Sequence, residues 1–497
     1  MKIMRAVFKG RIAMAVWPII IALGFSGCAI HPRPNPNPKP NLNSNSSQAG
    51  AGPWQAGLAE INITPPIGFR MAGYFEERIS TGIHDPLKAK AIVLRQDGRE
   101  VALVFCDLLG LSLDVSGPAR AAASRATGIP ITNIVIAATH SHTGPLFDDV
   151  RADQFHQQAV ARSGQDAQVK MDYPAFLTSQ LVKVIVDAHA NLQPVGLVAG
   201  ITGQPGLPFN RDYYMKDGSV VFNPGQLNTN VAGPAGPADS DVDMLLVKPS
   251  NGAEPVGGLT VFAMHADTIG GTEFSADYPF YIQQTLRKVF GSNYISAFGA
   301  GACGNLNHID ISKKGPVKGF DVAEELGGEI GVTVLTDISH LQPVAQPALA
   351  SRSKTLLLPL QPVTARQVMA ARVIFDRLND DRMNFYAKVH AVKTIDLAQR
   401  GTNWPIEIQA IRLGGETAIV CLPAEMFTEF GLAIKKASPF KQTFIITICN
   451  DRPGYVPTLK AFDEGTYEVM NSRLRPGSGE IMVETAVKML NDLKRNP

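Results

Sequence analysis

The sequence predicts an α/β fold, with mixed β-sheets flanked by helices, and three observations carry that expectation. Apolar runs of strand length alternate along the chain with longer segments whose apolar residues recur at three-and-four spacing. The composition, 45% hydrophobic and 18% charged over 497 residues, supplies enough apolar side chains for a large core. A prior of roughly 150 residues per domain would divide such a chain in three. From about residue 54 onward, however, no repeat, low-complexity segment or Pro/Ser linker marks a joint, so 54–497 reads as a single domain.

The elements follow in chain order. "MKIMRAVFKGR" supplies Lys2, Arg5, Lys9 and Arg11 ahead of the apolar run "IAMAVWPIIIALGF", the charged and hydrophobic parts of an export signal. The run is short for a bilayer span. It ends in "FSGC", which resembles a bacterial lipobox with Cys28 as the acylated residue, so 1–28 reads as a lipoprotein signal peptide. Residues 29–53, rich in Pro, Asn and Ser, read as an extended, disordered tether. An exported lipoprotein, periplasmic or at the cell surface and held to a membrane through Cys28, is therefore expected. Strand-like runs follow at Glu100–Leu109, Asn133–His140, Pro255–His265, Asn293–Gly301, Glu416–Glu425 and Thr443–Asp451. Helix-like runs cover Tyr173–Leu192, Tyr278–Phe290, Asp321–Ile338, Ala365–Leu378 and Met482–Arg495.

Charge and cysteine usage narrow the function classes. Lys+Arg number 46 against Asp+Glu 44, so no electrostatic footprint for nucleic acid is present. Cys106, Cys303, Cys421 and Cys449 lie in or just after apolar runs with no CxxC pair, and read as buried free thiols although export would permit disulfides. HExxH, GxSxG and Walker A motifs are absent. Gly299–Gly304 matches GxGxxG after a strand, but "NLNHIDISKKGP" follows where a helix should open; these glycines read instead as places where backbone approaches a site closely.

Strand after strand stops at a polar residue: His140, His265, Asn305, Glu425 and Asn450. Residues at the carboxyl ends of strands can converge on one crevice although far apart in sequence. His140 and His142, two apart in "AATHSHTGP", would share one face of a continuing strand. With His265 and Glu425 they would make a set suited to catalytic zinc. Spacing alone leaves structural roles open. Asp107 and the pair His84–Asp85 admit either an orienting role behind a ligand or a turn and capping role, the second being favoured. The polar segment 148–173 admits either a cover over the site or a solvated insertion, again with the second favoured.

Six blocks, "GLAEINITPPIGFRMAGY", "GIHDPLKAKAIVL", "IAATHSHTGP", "FNRDYYMKDG", "LPAEMFTEFG" and "CNDRPGYV", follow one another in an order that resembles the neutral/alkaline (non-lysosomal) ceramidase family, over roughly residues 56–468. Members of that family are zinc amidases that cleave N-acylsphingosine. The resemblance implies an N-acyl amide hydrolase using metal-activated water, with a lipid amide as substrate and Zn2+ as cofactor. It implies His140, His265, Glu425 and Tyr455 as zinc ligands, His142 as the proton-handling neighbour, and Arg211 and Tyr467 as groups that hold the carbonyl oxygen. The phenol of Tyr455, with an ordinary pKa near 10, must be depressed by the cation to bind well. Gly301 stands where the family carries a serine in "QSNxGD", and "VPTLKAFDEGTYE" departs from the family's "TTxEEY". A mechanism using that serine is excluded, and weaker activity on long-chain ceramide than on another N-acylated amine is expected. Two other readings stay open: a zinc hydrolase of a different amide or ester, and a ligand-binding surface lipoprotein without catalysis.

Overall fold

Strands whose two faces are both apolar must be covered on both sides, and that requirement sets the architecture here. In Ile134–Ala138, Ile134 and Ile136 pack into one core while Val135 and Ala137 pack into another. The computed structural model describes residues 52–168 and 171–495. The export segment, Cys28 and nearly all of the tether read from the sequence lie outside the described residues. Among the described residues, no helix is long and apolar enough to cross a membrane.

The large sheet contains β1 (Gln55–Asn62), β2 (Lys88–Gln96), β3 (Arg99–Cys106), β4 (Ile134–Ala138), β5 (Gln193–Gly203), β6 (Asp241–Pro249), β7 (Gly257–Phe262) and β8 (Ile295–Ala300). Their order is β8-β7-β6-β5-β1-β2-β3-β4, with Gln342–Pro343 pairing beside β5. Both outer pairs, β7 with β8 and β3 with β4, are parallel, whereas the inner pairs are antiparallel. The small sheet is β9 (Ala350–Pro359), β10 (Asn403–Arg412), β11 (Thr417–Cys421) and β12 (Gln442–Ile446), in sequence order, with only the last pair parallel.

Four layers result. Phe105, Val135, Ala137 and Val261 of the large sheet meet Ile419, Phe444 and Ile446 of the small one in a core between the sheets. The outer face of the large sheet is covered by the helices Leu113–Thr127, Tyr173–Ala190, Tyr278–Phe290 and Phe320–Asp337. Thr428–Ala437 and Ser478–Arg495 cover the outer face of the small sheet through Phe430, Met482 and Leu490. Each fully buried Leu, Ile or Phe contributes about 1.5–3 kcal/mol, so the layers are held chiefly by this burial. Cys106, Cys303, Cys421 and Cys449 are buried and unpaired, as their apolar surroundings predict.

The layering brings the strand ends together. In β4, Ala138 N donates to Ile448 O at 3.2 Å and Ile136 O accepts from Asn450 N at 2.7 Å, joining the two sheets. Thr447 N donates to Ala300 O at 2.8 Å, and Gly301 N to Phe262 O at 2.9 Å. Gly304 N reaches Met426 O at 2.8 Å. The segments that leave β4, β7, β8, β11 and β12 are thus hydrogen-bonded to one another.

Candidate metal centre and active site

Sequence spacing places His140 and His142 on one strand face, but the strand ends at Ala138. His140 takes φ +70°, a left-handed conformation uncommon for a non-glycine residue and costly unless the surroundings enforce it. The turn is pinned on both sides: Thr139 N donates to Cys106 O at 2.8 Å, Ser141 N to Leu108 O at 3.1 Å, and His142 N to Ala266 O at 3.0 Å. The two imidazoles still meet, with ring centroids 5.0 Å apart, through a tight turn rather than strand alternation. Ala424 (φ +85°) and Ile448 (φ +56°) are left-handed too, and both line the same cavity as His140.

Each deep histidine is oriented by backbone. His140 Nδ1 lies 2.8 Å from Leu109 O, and His265 Nδ1 lies 2.8 Å from Cys303 O and 3.0 Å from Leu306 O. A carbonyl only accepts, so both Nδ1 atoms carry the proton and both Nε2 atoms present lone pairs. Those lone pairs face Glu425: Oε2 is 3.2 Å from His140 Nε2 and 3.5 Å from His265 Nε2. The Tyr455 hydroxyl is 3.4 Å from His265 Nε2, and Tyr455 reaches this position because Tyr455–Val456 pairs in parallel with Glu425–Met426. His140, His142 and His265 offer ring nitrogens all within 4.8 Å of one another. His140 Nε2, His142 Nε2 and Glu425 Oε2 are buried with no hydrogen-bond partner among the described residues. Buried polar atoms are seldom left so, and three converging orphans with this donor set fit a divalent ion.

Electrostatics divides the histidines. Burial would lower the pKa of His140, but the neighbouring Glu425 carboxylate outweighs it and the net shift is upward. His142 is pushed well below the usual histidine value by burial and by His140. Burial, with Arg211 next, lowers His265 to about 4. The Glu425 carboxyl, which burial alone would raise, is held well below the carboxylate range by His140 and His265.

Arg211 is buried behind the tyrosines rather than lining the cavity. Its Nε donates to Glu468 at 2.7 Å and its Nη2 to Gly304 O at 2.6 Å, while the guanidinium sits 5.4 Å from the Tyr455 ring and 5.9 Å from that of Tyr467. Tyr467 does line the cavity, edge-on to Tyr455 at 5.6 Å. At Gly301 a Cβ would stand 2.9 Å from the Ala263 Cα, and at Gly304 one would stand 2.6 Å from the Glu425 carbonyl oxygen, so these glycines permit the close approach read from the sequence.

Other expected members are elsewhere. Asn450 bonds Gln409 and Ile136 N, and Asn305 bonds Glu429 and Thr428 N; both hold the strand ends in place and neither lines the cavity. Asp107 accepts from Lys88 N, and Asp85 from Ser275 and Ala276 N; both join separate segments of the chain and neither lines the cavity. Ser275 O in turn accepts from Ser141 at 2.6 Å, so Asp85 supports the histidine turn at one remove. Asp149 and Arg151, from the segment read as a solvated insertion, line the cavity with Arg452 and Arg473. Arg452 stands in "CNDRPGYV", but nothing in the sequence marked it as part of this wall.

No family model matches the chain, and no curated protein matches it in sequence. Among solved structures, a neutral ceramidase from Pseudomonas aeruginosa is similar at a TM-score of 0.66 and 20% identity, over 89% of this chain and 75% of that one. A ceramidase structure described as complexed with C2 is similar at a TM-score of 0.66 and 19% identity, with the same coverage. This chain has the fold of the solved neutral ceramidases.

Proposed function

We propose that this protein is a zinc-dependent hydrolase of N-acyl amides. The observation that carries the reading is the convergence of His140 Nε2, His142 Nε2 and Glu425 Oε2, buried and without a hydrogen bond among the described residues, on one cavity. His140, His265, Glu425 and Tyr455 would hold the metal. Zinc bound there would supply a Lewis acid for the amide carbonyl and make water nucleophilic near neutral pH.

The chain's own groups do the rest. His142, which lines the cavity and whose buried Nε2 makes no hydrogen bond among the described residues, accepts a proton there from the attacking water and returns it to the amide nitrogen. The water oxygen joins the acyl carbon, the C–N bond breaks, and acid and amine leave. Tyr467 donates its hydroxyl proton toward the carbonyl oxygen as negative charge develops. Arg211, paired with Glu468 at 2.7 Å, adds positive charge from behind the two phenols. The fold likeness to ceramidases supports a lipid amide as the substrate. The lipobox and tether add a location to the proposal: a membrane surface reached through lipid on Cys28. Replacing Cys28 with Ser would then release active protein from membranes; a variant that stays bound places the anchor elsewhere.

The decisive experiment compares His140→Ala with His142→Ala. Loss of a ligand removes zinc as well as activity. Loss of a proton carrier keeps zinc and lowers kcat by roughly a hundred- to ten-thousandfold. The 4.8 Å cluster of the three histidines favours a second arrangement in which His142 is itself a ligand, and equal zinc loss in both variants would establish it. Full zinc and full activity in both would remove the centre from the mechanism.

A further inference from the structure

We propose that the amide cleaved at this centre carries an acidic group on its amine side, in its simplest form the carboxylate of an N-acyl amino acid, and that Arg452 and Arg473 recognise it. The proposal rests on the amide-hydrolase reading and names its substrate class.

Space comes first. The cavity at the metal centre holds about 110 Å³, less than the roughly 150 Å³ that admits benzene. It has room for the reacting amide and a few neighbouring atoms, so anything longer must leave it. The walls differ in chemistry. Phe75 lines the cavity and packs edge-on at 5.7 Å against Phe385, which is 45% exposed and stacks 5.7 Å from Tyr467. An acyl chain can leave along these rings. Asp149, Arg452 and Arg473, also in the lining, are shared with a second cavity of about 770 Å³, whose further lining includes Asp396, Arg400 and Asp451. An alkyl chain laid there would strip water from charged groups without replacing their partners, which is unfavourable.

The arginines are held in place but not exhausted. Arg473 donates through Nε to Asp396 and through Nη1 to Asn471 O at 3.0 Å; its Nη2 has no acceptor among the described residues. Arg452 donates through Nη1 to Asp149 at 3.2 Å and through Nη2 to Asp148 O, leaving Nε without an acceptor among the same residues. Arg151, by contrast, spends all three nitrogens on Asp149 and Tyr74 O. A guanidinium held by a carboxylate, on a residue that lines a cavity and with an N–H left without an acceptor among the described residues, is pre-organised for an anion. Asn471 links the two functions, since its Nδ2 lies 3.4 Å from the Tyr467 hydroxyl and its Oδ1 lies 3.4 Å from Arg473 Nη1. An acidic group held by Arg473 would therefore lie close to the phenol that faces the carbonyl. In an N-acyl α-amino acid the carboxyl carbon is two bonds from the amide nitrogen, which suits that short separation. A sphingoid amine offers neutral hydroxyls and a long chain to the same wall.

The test uses the full chain purified with its metal and two amides of equal acyl length, N-dodecanoylglycine and N-dodecanoylethanolamine. Cleavage is read as kcat/KM and binding by calorimetry. A charge-assisted hydrogen bond is worth enough to give a preference of about ten- to a hundredfold for the acid. That ratio should collapse in Arg473→Gln and Arg452→Gln and be partly kept in Arg473→Lys, with thermal melts identifying any variant that fails to fold. Cleavage of the neutral amide as fast as the acid, or a ratio unchanged in folded Gln variants, overturns the charge assignment and leaves the amidase reading standing. Arginine-dependent binding of the acid with neither amide cleaved upholds the assignment and overturns the amidase reading. Absence of both binding and cleavage overturns both.

Discussion

Gly301 measures how tightly residues are fitted around the centre. Its missing Cβ would stand 2.9 Å from both the Cα and the Cβ of Ala263, two residues before His265. Backbone on β7's exit cannot yield without moving that histidine. Gly301→Ser should therefore cost about 1–3 kcal/mol by overpacking, read as a lower urea midpoint, and should bring no gain on ceramide. A stable, ceramide-active variant would show that the loop relaxes freely. At this scale the sequence was informative about identity and silent about conformation. The spacing of His140 and His142 was legible, whereas the left-handed turn that joins them was not, because nothing in "THSH" announces positive φ. Asn305 and Asn450 read like His265 and Glu425, each ending an apolar run. Only their partners, backbone amides and Gln409 or Glu429, distinguish a brace from a candidate ligand.

Among the elements, the helix Val150–Ser163 ties the polar segment to the cavity through its N-cap, Asp149, whose side chain accepts from Arg151 N. Burial alone would raise the Asp149 carboxyl, but Arg151 and Arg452 outweigh it and hold it well below the carboxylate range. A depressed folded pKa means stability that is complete above the unfolded value near 3.9 and is lost as pH falls toward the folded one. Asn caps a helix as well as Asp, so Asp149→Asn removes the charge and keeps the cap. It should lower stability near pH 7 by about 3 kcal/mol, because the two arginines lose their partner. Its stability should also fall less steeply than the native protein's below about pH 4. Urea midpoints from neutral to acid pH read both effects, and parallel curves would assign the acid limb to other carboxylates. Elements buried on both faces, such as β4 and β11, were legible as unbroken apolar runs. The edge strand β9, "ASRSKTLLLP", was not: most of its residues are exposed or half-exposed, and it is a strand because β10 pairs along its whole length. Pairing across some fifty residues of chain leaves no local signal.

The whole molecule places the candidate ligands on different layers. His140 follows β4 and His265 follows β7 of the large sheet, while Glu425 follows β11 of the small sheet and Tyr455 stands beside it. The alternation of runs predicted two-sided sheets under helices. It did not predict that two sheets would stack face to face, since an apolar strand looks the same whether a helix or a sheet covers it. The stacking has a thermodynamic consequence. An ion held by His140, His265, Glu425 and Tyr455 would tie the two sheets together, and the unfolded chain, with these residues far apart in sequence, offers no such site. Binding then stabilises the folded state alone, by about 4 kcal/mol at a free metal concentration a thousand times Kd. Protein stripped by a chelator should melt several degrees lower than the same protein returned to zinc. The rise should vanish in His140→Ala and in Glu425→Ala, one variant from each sheet. A rise that survives Glu425→Ala but not His140→Ala would confine the ion to the histidines of the large sheet. A melt indifferent to zinc in the native chain would sink the metal reading outright.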